Sequence, residues 1–251
     1  MLSRGIDSAV VVGVIPARYG STRFPGKALA RVGGSPLIQR VWERSRESKR
    51  LQRLMVATDD ERILEAVRKF GGEGVMTSPM LASGTDRVWE AVKKTSAQLI
   101  VNIQGDEPLM TSGLVDQLVE GLEQESTAQM TTLRYEMRSA AGYNDPNVVK
   151  VVTDEKGWAL YFSRAPIPHY RQKDCSSPVW YKHLGLYAYR RAVLEQFVRW
   201  APSALEMAEK LEQLRALERG VRIRVLDSSV NTIGVDTPED LKQVERILGD
   251  A

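Results

Sequence analysis

The sequence predicts an α/β fold with a mostly parallel sheet flanked by helices and an antiparallel insertion that forms a smaller lobe. In the first half of the chain, short apolar runs of strand length alternate with helical patterns, as in sheets covered on both faces. The middle of the chain contains two strand-like runs joined by a tight turn, which is typical of a hairpin. With 251 residues and 43% hydrophobic content, the chain is expected to form one domain, the smaller lobe being built largely from about residues 130–190.

The first half of the chain is predicted to alternate strands and helices. Continuous apolar runs indicate strands at residues 9–15, 53–59, 73–78 and 98–104. Patterns with helical spacing indicate helices at residues 35–45, 60–72, 85–95 and 112–125. Ser35 is expected to cap the first of these helices and Thr111 the last.

The second half mixes both kinds of pattern. A hairpin is predicted over residues 147–168, around the turn "DEKG", and a further strand over residues 182–189. The elements after it are predicted as a helix at 190–200, a long helical pattern at 203–220 that ends at a glycine, a strand at 221–226 and a final helix at 238–250.

Composition excludes several classes of protein. The net charge is only +3 and the cations are scattered, so the pI near 8.9 does not by itself indicate a nucleic-acid or membrane-surface partner. The single cysteine, Cys175, rules out an intrachain disulfide framework. No apolar stretch approaches the roughly 20 residues of a transmembrane helix, and the N-terminus lacks the apolar core of a signal peptide, so a cytoplasmic location is expected.

A basic loop follows the first predicted strand, in the segment "IPARYGSTRFPGKALA". It does not match the phosphate-binding loop of ATPases, because five residues separate Gly20 from Gly26 and Ala28 stands where that motif has Ser or Thr. Arg18, Arg23 and Lys27 nevertheless offer positive charges suited to phosphate oxygens. A polyphosphate ligand is the favoured interpretation, and a solvated surface loop is the alternative.

Loops that follow parallel strands gather at one edge of the sheet, where ligands bind. Arg18, Asp59 and Asp106 each follow a predicted strand, so cations and carboxylates are expected to meet there. Mg²⁺ is commonly held by one or two carboxylates together with substrate phosphates, and Asp106 suits that role. As an alternative, Asp59 and Asp60 fit helix caps before residue 61.

Eight ordered blocks carry a resemblance to a known family: "IPARYGSTRFPGK", "VATDD", "SGTDR", "VNIQGDEP", "ALYFSRAPIP", "HLGLYAYR", "LEQLR" and "GVDTPEDL". In order and spacing they resemble the 3-deoxy-manno-octulosonate cytidylyltransferases, over nearly the whole chain. The resemblance implies a cytoplasmic, Mg²⁺-dependent homodimer with a nucleotide-binding, Rossmann-like fold. It also implies that CMP passes from CTP to the acidic sugar 3-deoxy-manno-octulosonate (Kdo) for lipopolysaccharide synthesis.

The resemblance assigns roles to residues in these blocks. Arg18, Arg23, Lys27 and Asp106 would be catalytic, and Asp106 and Asp236 would hold the metal. The nucleotide site would comprise Pro16, Ala17, Arg18, Ser21, Thr22, Arg23, Lys27, Asp59, Ser83, Gly84 and Asp106. The Kdo site would comprise Arg87, Gln104, Arg164, His183, Tyr187, Glu212 and Gln213.

Simpler interpretations of several residues remain open. His183, in an alternating strand, is otherwise typical of a buried histidine, and Glu212 and Gln213 of a solvated helix face. Asp236 is also placed to belong to the start of the last helix. Other functions consistent with the pattern are transfer to sialic acid or 8-amino-Kdo, glycosyl transfer, and regulation by a nucleotide without catalysis.

Overall fold

The protein is described here by a computed structural model that covers residues 9–20, 24–140, 142–171 and 179–249. The strands in these ranges are β1 (Val11–Ala17), β2 (Arg31–Val32), β3 (Ser35–Pro36), β4 (Arg53–Thr58), β5 (Glu73–Met76), β6 (Leu99–Asn102), β7 (Met130–Met137), β8 (Lys150–Thr153), β9 (Ala159–Ser163), β10 (Trp180–Arg190) and β11 (Ile223–Asp227). The helices are α1 (Leu37–Ser45), α2 (Glu61–Lys69), α3 (Gly84–Val92), α4 (Ser112–Gln124), α5 (Arg191–Phe197), α6 (Ala204–Glu209), α7 (Gln213–Glu218) and α8 (Pro238–Gly249).

The main sheet has the strand order β11-β7-β10-β6-β1-β4-β5. β6, β1, β4 and β5 run parallel to one another, β11 runs parallel to β7, and β10 runs antiparallel to both of its neighbours. The β8–β9 hairpin lies off this path and joins the sheet through β10. The predicted α/β class, with a mostly parallel sheet and an antiparallel insertion, is therefore confirmed.

The insertion is divided between the sheet and its margin. β7 and β10 are long strands inside the main sheet, whereas β8 and β9 form the hairpin beside it. Two strands of the segment that was predicted to form a smaller lobe, about residues 130–190, thus belong to the main sheet. None of the helices in the described ranges is long and apolar enough to span a bilayer, the longest being the 13 residues of α4.

Helices cover both faces of the sheet because the parallel strands are apolar on both sides. In β1, Val11 and Ile15 belong to the core that contains α1, α2 and α4, whereas Val12 and Val14 belong to the core that contains α3, α5 and α7. A third, smaller core packs Val244 of α8 against the β2–β3 hairpin and the start of α1. The C-terminal helix is therefore fixed close to the loop that follows β1.

Two local predictions were wrong. Ser35 does not cap α1, because it pairs with Val32 in the β2–β3 ladder and Pro36 takes the cap position. The helical pattern at 203–220 is not one helix: Lys210 adopts a left-handed conformation, with φ of 53°, and separates α6 from α7. The break follows Glu209, whose carboxylate accepts hydrogen bonds from the Ser163 hydroxyl (2.6 Å) and the Arg164 backbone N–H (2.9 Å).

Candidate active site

A cleft of about 390 Å³ lies at the carboxyl ends of β1 and β6. From β1 the chain continues to β4 and β5 on one side, and it then crosses to β6 on the other side of β1. Ligands bind at such switch points in α/β sheets. The cleft is lined by Pro16, Ala17, Arg18, Gly20, Lys27, Ala28, Ser83, Gly84, Arg87, Gln104, Gly105, Asp106 and Asp236. Ten of these thirteen residues were predicted from the sequence as site residues.

Two glycines shape the walls of the cleft. Gly26 has φ of 71°, its N–H donates to the Tyr19 carbonyl at 2.9 Å, and it starts the short 3-10 turn that carries Lys27. A Cβ atom on Gly105 would lie 3.1 Å from the Pro16 carbonyl oxygen, so glycine permits the loops after β1 and β6 to approach closely. The side chains of these two loops consequently face the same cleft.

Lys27 joins the two carboxylates that were predicted to hold a metal. Its Nζ lies 2.7 Å from Asp106 Oδ2 and 3.1 Å from Asp236 Oδ1. The Val235 N–H donates to the Asp106 carbonyl at 2.8 Å, which holds the C-terminal segment against the loop after β6. Two acidic side chains distant in sequence therefore share one ammonium group inside the cleft.

The start of α8 separates the roles of its two aspartates. Asp240 Oδ2 accepts the backbone N–H groups of Asp236 (2.9 Å) and Thr237 (2.8 Å), while the Thr237 hydroxyl accepts the Asp240 N–H at 3.2 Å. This is a reciprocal capping arrangement. Asp240 is thus the carboxylate that caps the N-terminus of α8, whereas the Asp236 side chain contacts Lys27.

The basic loop is described in part. Arg18 is exposed and lines the cleft beside Pro16 and Ala17. Ser21, Thr22 and Arg23, which were predicted to bind the nucleotide, lie outside the described residues, as does Cys175.

The N-terminus of α3 forms another wall. Ser83 caps this nine-residue helix, accepting the Asp86 N–H at 3.1 Å, and Asp86 accepts the Ser83 N–H at 3.0 Å. Ser83 and Gly84 line the cleft, so the positive end of the helix dipole is directed towards it.

Arg87 and Asp59 form a buried ion pair at this wall. Arg87 is 3% exposed, and its Nη2 lies 2.7 Å from Asp59 Oδ2, while its Nη1 donates to the Thr77 hydroxyl. Asp59 does not line the cleft. Asp60 caps α2, accepting the Arg62 N–H at 3.0 Å. The alternative interpretation as a helix cap is therefore confirmed for Asp60, whereas Asp59 orients Arg87.

The remaining predicted sugar residues divide into two groups. Gln104 lines the cleft, and its Nε2 donates to the Gly185 carbonyl at 2.9 Å, at an irregularity in β10. Glu212 lies next to the α3 wall, where its Oε2 accepts the Thr85 hydroxyl at 2.6 Å, and burial raises its pKa. Gln213 is 6% exposed, so the interpretation of this segment as a solvated helix face is wrong.

His183, Tyr187 and Arg164 do not line the cleft. Burial lowers the pKa of His183 from 6.5 to about 3, and its Nε2 lies 2.9 Å from the Thr132 hydroxyl oxygen. Its ring packs edge-on against Phe162, with centroids 4.9 Å apart. Arg164 donates to the carbonyl oxygens of Pro146, in the insertion, and of Glu209, at the end of α6, each at 2.8 Å.

One polar cluster beside the site was missed from the sequence. Burial is the main cause that raises the pKa of Glu107 to about 7, and the neighbouring charge of Asp106 adds to it. Lys182 Nζ donates to Asn231 Oδ1 at 2.9 Å and to the Thr232 carbonyl at 2.7 Å. The position of Glu107 directly after Asp106 was the available signal, but the side chains around it, Thr232 and Lys182, are distant in sequence.

Among the described residues, no group of three or more histidine, cysteine or acidic side chains is arranged to hold a metal ion. The cleft instead offers the two carboxylates of Asp106 and Asp236. This donor set fits Mg²⁺, which keeps several waters and commonly takes one or two carboxylates plus substrate phosphates.

Comparison with known proteins agrees with this architecture. The sequence model of the cytidylyltransferase family matches residues 12–223. A 3-deoxy-manno-octulosonate cytidylyltransferase from Geobacter metallireducens is 50% identical over 243 residues, covering 93% of this chain and 96% of the relative. A relative of the same name from Syntrophobacter fumaroxidans is 52% identical over 241 residues, covering 95% of this chain and 96% of its own length.

A solved structure is similar along almost the whole chain. It is that of a CMP:2-keto-3-deoxy-manno-octonic acid synthetase complexed with CTP, with a TM-score of 0.91 and 42% sequence identity. The match covers 96% of this chain and 99% of that one.

Proposed function

The chain belongs to the cytidylyltransferase family, among the 3-deoxy-manno-octulosonate cytidylyltransferases, and we propose that it transfers CMP from CTP to Kdo with release of pyrophosphate. The observation that carries this proposal is the convergence of Asp106, Asp236 and Lys27 in the cleft at the switch point of the sheet. Such a cleft suits a metal-bound triphosphate.

In the reaction, the anomeric hydroxyl oxygen of Kdo forms a bond to the α-phosphorus of CTP. The bond from that phosphorus to the bridging oxygen breaks, pyrophosphate leaves, and the hydroxyl loses its proton. Catalysis of phosphoryl-type transfer depends mainly on positioning and charge stabilisation. The chain is therefore required to align the two substrates and to neutralise a polyanion.

The residues of the cleft are suited to these tasks. Arg18 and Lys27 are proposed to bind the triphosphate, with Arg23, Ser21 and Thr22 of the same loop. The backbone N–H of Gly84 adds to them at the α3 N-terminus, whereas the Ser83 N–H is committed to the Asp86 carboxylate. Mg²⁺, held by Asp106 and Asp236, would act as a Lewis acid and template.

The sugar is proposed to bind on the side of the cleft formed by Gln104 and Arg87. Gln104 has one amide proton committed to Gly185, which fixes the side chain while its oxygen is available for a hydroxyl. Glu212 adjoins this wall through Thr85. Roles for Arg164, His183, Tyr187 and Gln213 in Kdo binding remain predictions, which the KM for Kdo of their variants tests.

Further properties are proposed from the family. We expect a homodimer that acts in the cytoplasm in lipopolysaccharide synthesis, organised as a single domain with its smaller lobe. Its substrates are small molecules, and no nucleic-acid or membrane partner is expected.

Pyrophosphate release is the direct test of the proposed function. Purified protein with CTP, Mg²⁺ and Kdo should release pyrophosphate, and Arg18→Ala should lower turnover by roughly 10²- to 10³-fold, the cost of removing a preorganised charge-stabilising donor. Lys69→Ala, an exposed lysine on α2, is the matched control. Reaction with sialic acid or 8-amino-Kdo but not with Kdo would reassign the sugar, and absence of reaction with all three would contradict the proposal.

A further inference from the structure

The side chain of Lys27 lies where a cation bound by the two carboxylates would lie. Its Nζ contacts Asp106 Oδ2 at 2.7 Å and Asp236 Oδ1 at 3.1 Å, and the side chain is only 15% exposed. The ammonium group thus occupies the space between the two acidic groups. The same two carboxylates are those proposed to hold Mg²⁺.

We infer that Lys27 is a stand-in cation, which holds Asp106 and Asp236 together in the nucleotide-free protein and leaves them when metal and triphosphate enter. This inference rests on the proposed function, because it takes the two carboxylates as the metal ligands. The other role proposed for Lys27, binding of phosphate, belongs to the later state. One side chain therefore serves the carboxylates first and the triphosphate afterwards.

The Lys27 ammonium group and a metal ion cannot occupy the space between the two carboxylates at the same time, because their charges repel. A divalent ion on these oxygens would lie within a few ångströms of an ammonium group held between them, and like charges at that distance repel strongly in a partly buried site. Lysine carries its charge on a flexible four-carbon stem, so Nζ can move without movement of the backbone. The 3-10 turn that begins at Gly26 fixes only the base of that stem.

The entering nucleotide provides a new position for the displaced ammonium group. Lys27 and Arg18 line the same cleft, so a triphosphate bound there presents oxygens to both. Metal alone must displace Lys27 without compensation, whereas metal with a triphosphate gives Lys27 new partners. Binding of metal and of triphosphate is therefore positively coupled, and linkage requires each ligand to strengthen the other by the same factor.

The coupling is measured by binding of Mn²⁺, a paramagnetic substitute for Mg²⁺, whose free concentration is read by electron paramagnetic resonance. Nucleotide-free wild type should bind Mn²⁺ weakly at the cleft. Lys27→Met should bind it more tightly, by about 5- to 150-fold, the range typical of coupled sites. Tripolyphosphate should strengthen Mn²⁺ binding in wild type and much less in Lys27→Met.

Three controls define the site. Lys156→Met, an exposed lysine on the hairpin turn, should leave Mn²⁺ affinity at the wild-type value. Addition of Asp106→Asn to Lys27→Met should abolish the tighter binding, which assigns it to the cleft. If Lys27→Met does not fold, Lys27→Gln repeats the measurement with an uncharged donor between the carboxylates.

The outcomes separate the inference from the proposed function. Equal Mn²⁺ affinity of wild type and the uncharged Lys27 variants would overturn the inference, even if wild type makes pyrophosphate from CTP and Kdo. Absence of that reaction in wild type would overturn the proposed function, while the Mn²⁺ titrations would still decide whether Lys27 competes with a divalent ion. Tighter Mn²⁺ binding that survives Asp106→Asn would also contradict the inference.

Discussion

The buried imidazole of His183 provides a quantitative prediction about stability and pH. The side chain is on β10, 7% exposed, packed against Phe162 and hydrogen-bonded to Thr132, and burial lowers its pKa from 6.5 to about 3. The perturbation is His183→Gln, which keeps a polar group near the Thr132 hydroxyl but removes the titration. The prediction concerns the free energy of unfolding between pH 7.5 and pH 5.

The sign follows from the protons bound in each state. Between pH 6.5 and about 3 the unfolded chain binds a proton at this histidine that the folded chain does not, so the free energy of unfolding decreases as the pH falls. At pH 5 the unfolded-state pKa lies about 1.5 units above the pH. Each unit corresponds to about 1.4 kcal/mol, so the loss relative to neutral pH is about 2 kcal/mol.

Glu107 affects the pH dependence of the free energy of unfolding in the opposite direction, and it does so both in wild type and in His183→Gln. Burial raises its pKa from 4.5 to about 7, so the folded state keeps a proton that the unfolded state loses, and this stabilisation is lost as the pH rises through that interval. The pH profile of wild type alone is therefore flattened. The difference between wild type and His183→Gln cancels the contribution of Glu107 and isolates that of His183.

The assay is equilibrium urea unfolding of both proteins at pH 7.5 and pH 5.0. At pH 7.5 His183→Gln is expected to have the lower free energy of unfolding, because the substitution disturbs a packed site. Between pH 7.5 and pH 5.0 wild type should lose about 2 kcal/mol more than the variant, so the difference in free energy of unfolding should shift by about 2 kcal/mol in favour of the variant. A gap that is the same at both pH values would refute the reasoning, since it would mean that His183 titrates alike in the folded and unfolded chains.

Three further predictions concern carboxylates. Asp236→Asn should keep the melting temperature within about 2 °C, which corresponds to roughly half a kcal/mol, yet lose most turnover even at high Mg²⁺; a stable, fully active variant would remove Asp236 from the metal site. Asp240→Ala should lower the melting temperature by about 2–4 °C through loss of roughly 1 kcal/mol of capping at Thr237, and an unchanged value by calorimetry would contradict this role. Arg215→Met should cost about 1.5–3 kcal/mol in urea unfolding, because the partly buried carboxylate of Glu206, 2.8 Å from Arg215 Nε, loses its ion-pair partner and keeps only the Ser203 N–H; a cost below about 0.5 kcal/mol would show that the pair is dispensable.

Local pattern was sufficient to predict the strands that are apolar on both faces, but not β7. The segment Met130–Met137 carries two adjacent threonines, which interrupt an apolar run, and no strand was predicted there. In the fold, the Thr131 hydroxyl donates to the Leu118 carbonyl at 2.8 Å and the Thr132 hydroxyl to the Leu186 carbonyl at 2.8 Å. Buried polar side chains of this kind look exposed in sequence, because their partners come from distant elements.

The same limit applies to the site. The positions of Arg18 and Asp106 after strands were sufficient to predict that cations and carboxylates meet at one sheet edge. Asp236 was assigned only through the family resemblance, since nothing local distinguishes it from Asp240 as a helix-start residue. What separates them is the contact of Asp236 with Lys27, 209 positions away in the chain, which no local pattern encodes.

Asp106 and Asp236 belong to segments that are packed in hydrophobic cores of different size. Asp106 follows β6, whose four residues are all buried inside the main sheet. Asp236 precedes α8, which contributes only Val244 to the fully buried residues and packs on the small third core. Segments with few buried apolar contacts open at lower free energy than the core. The Asp236 side is therefore the less stable half of the site, and any cation that contacts both carboxylates, whether Lys27 or a metal ion, stabilises α8 against the sheet as well as the charges themselves.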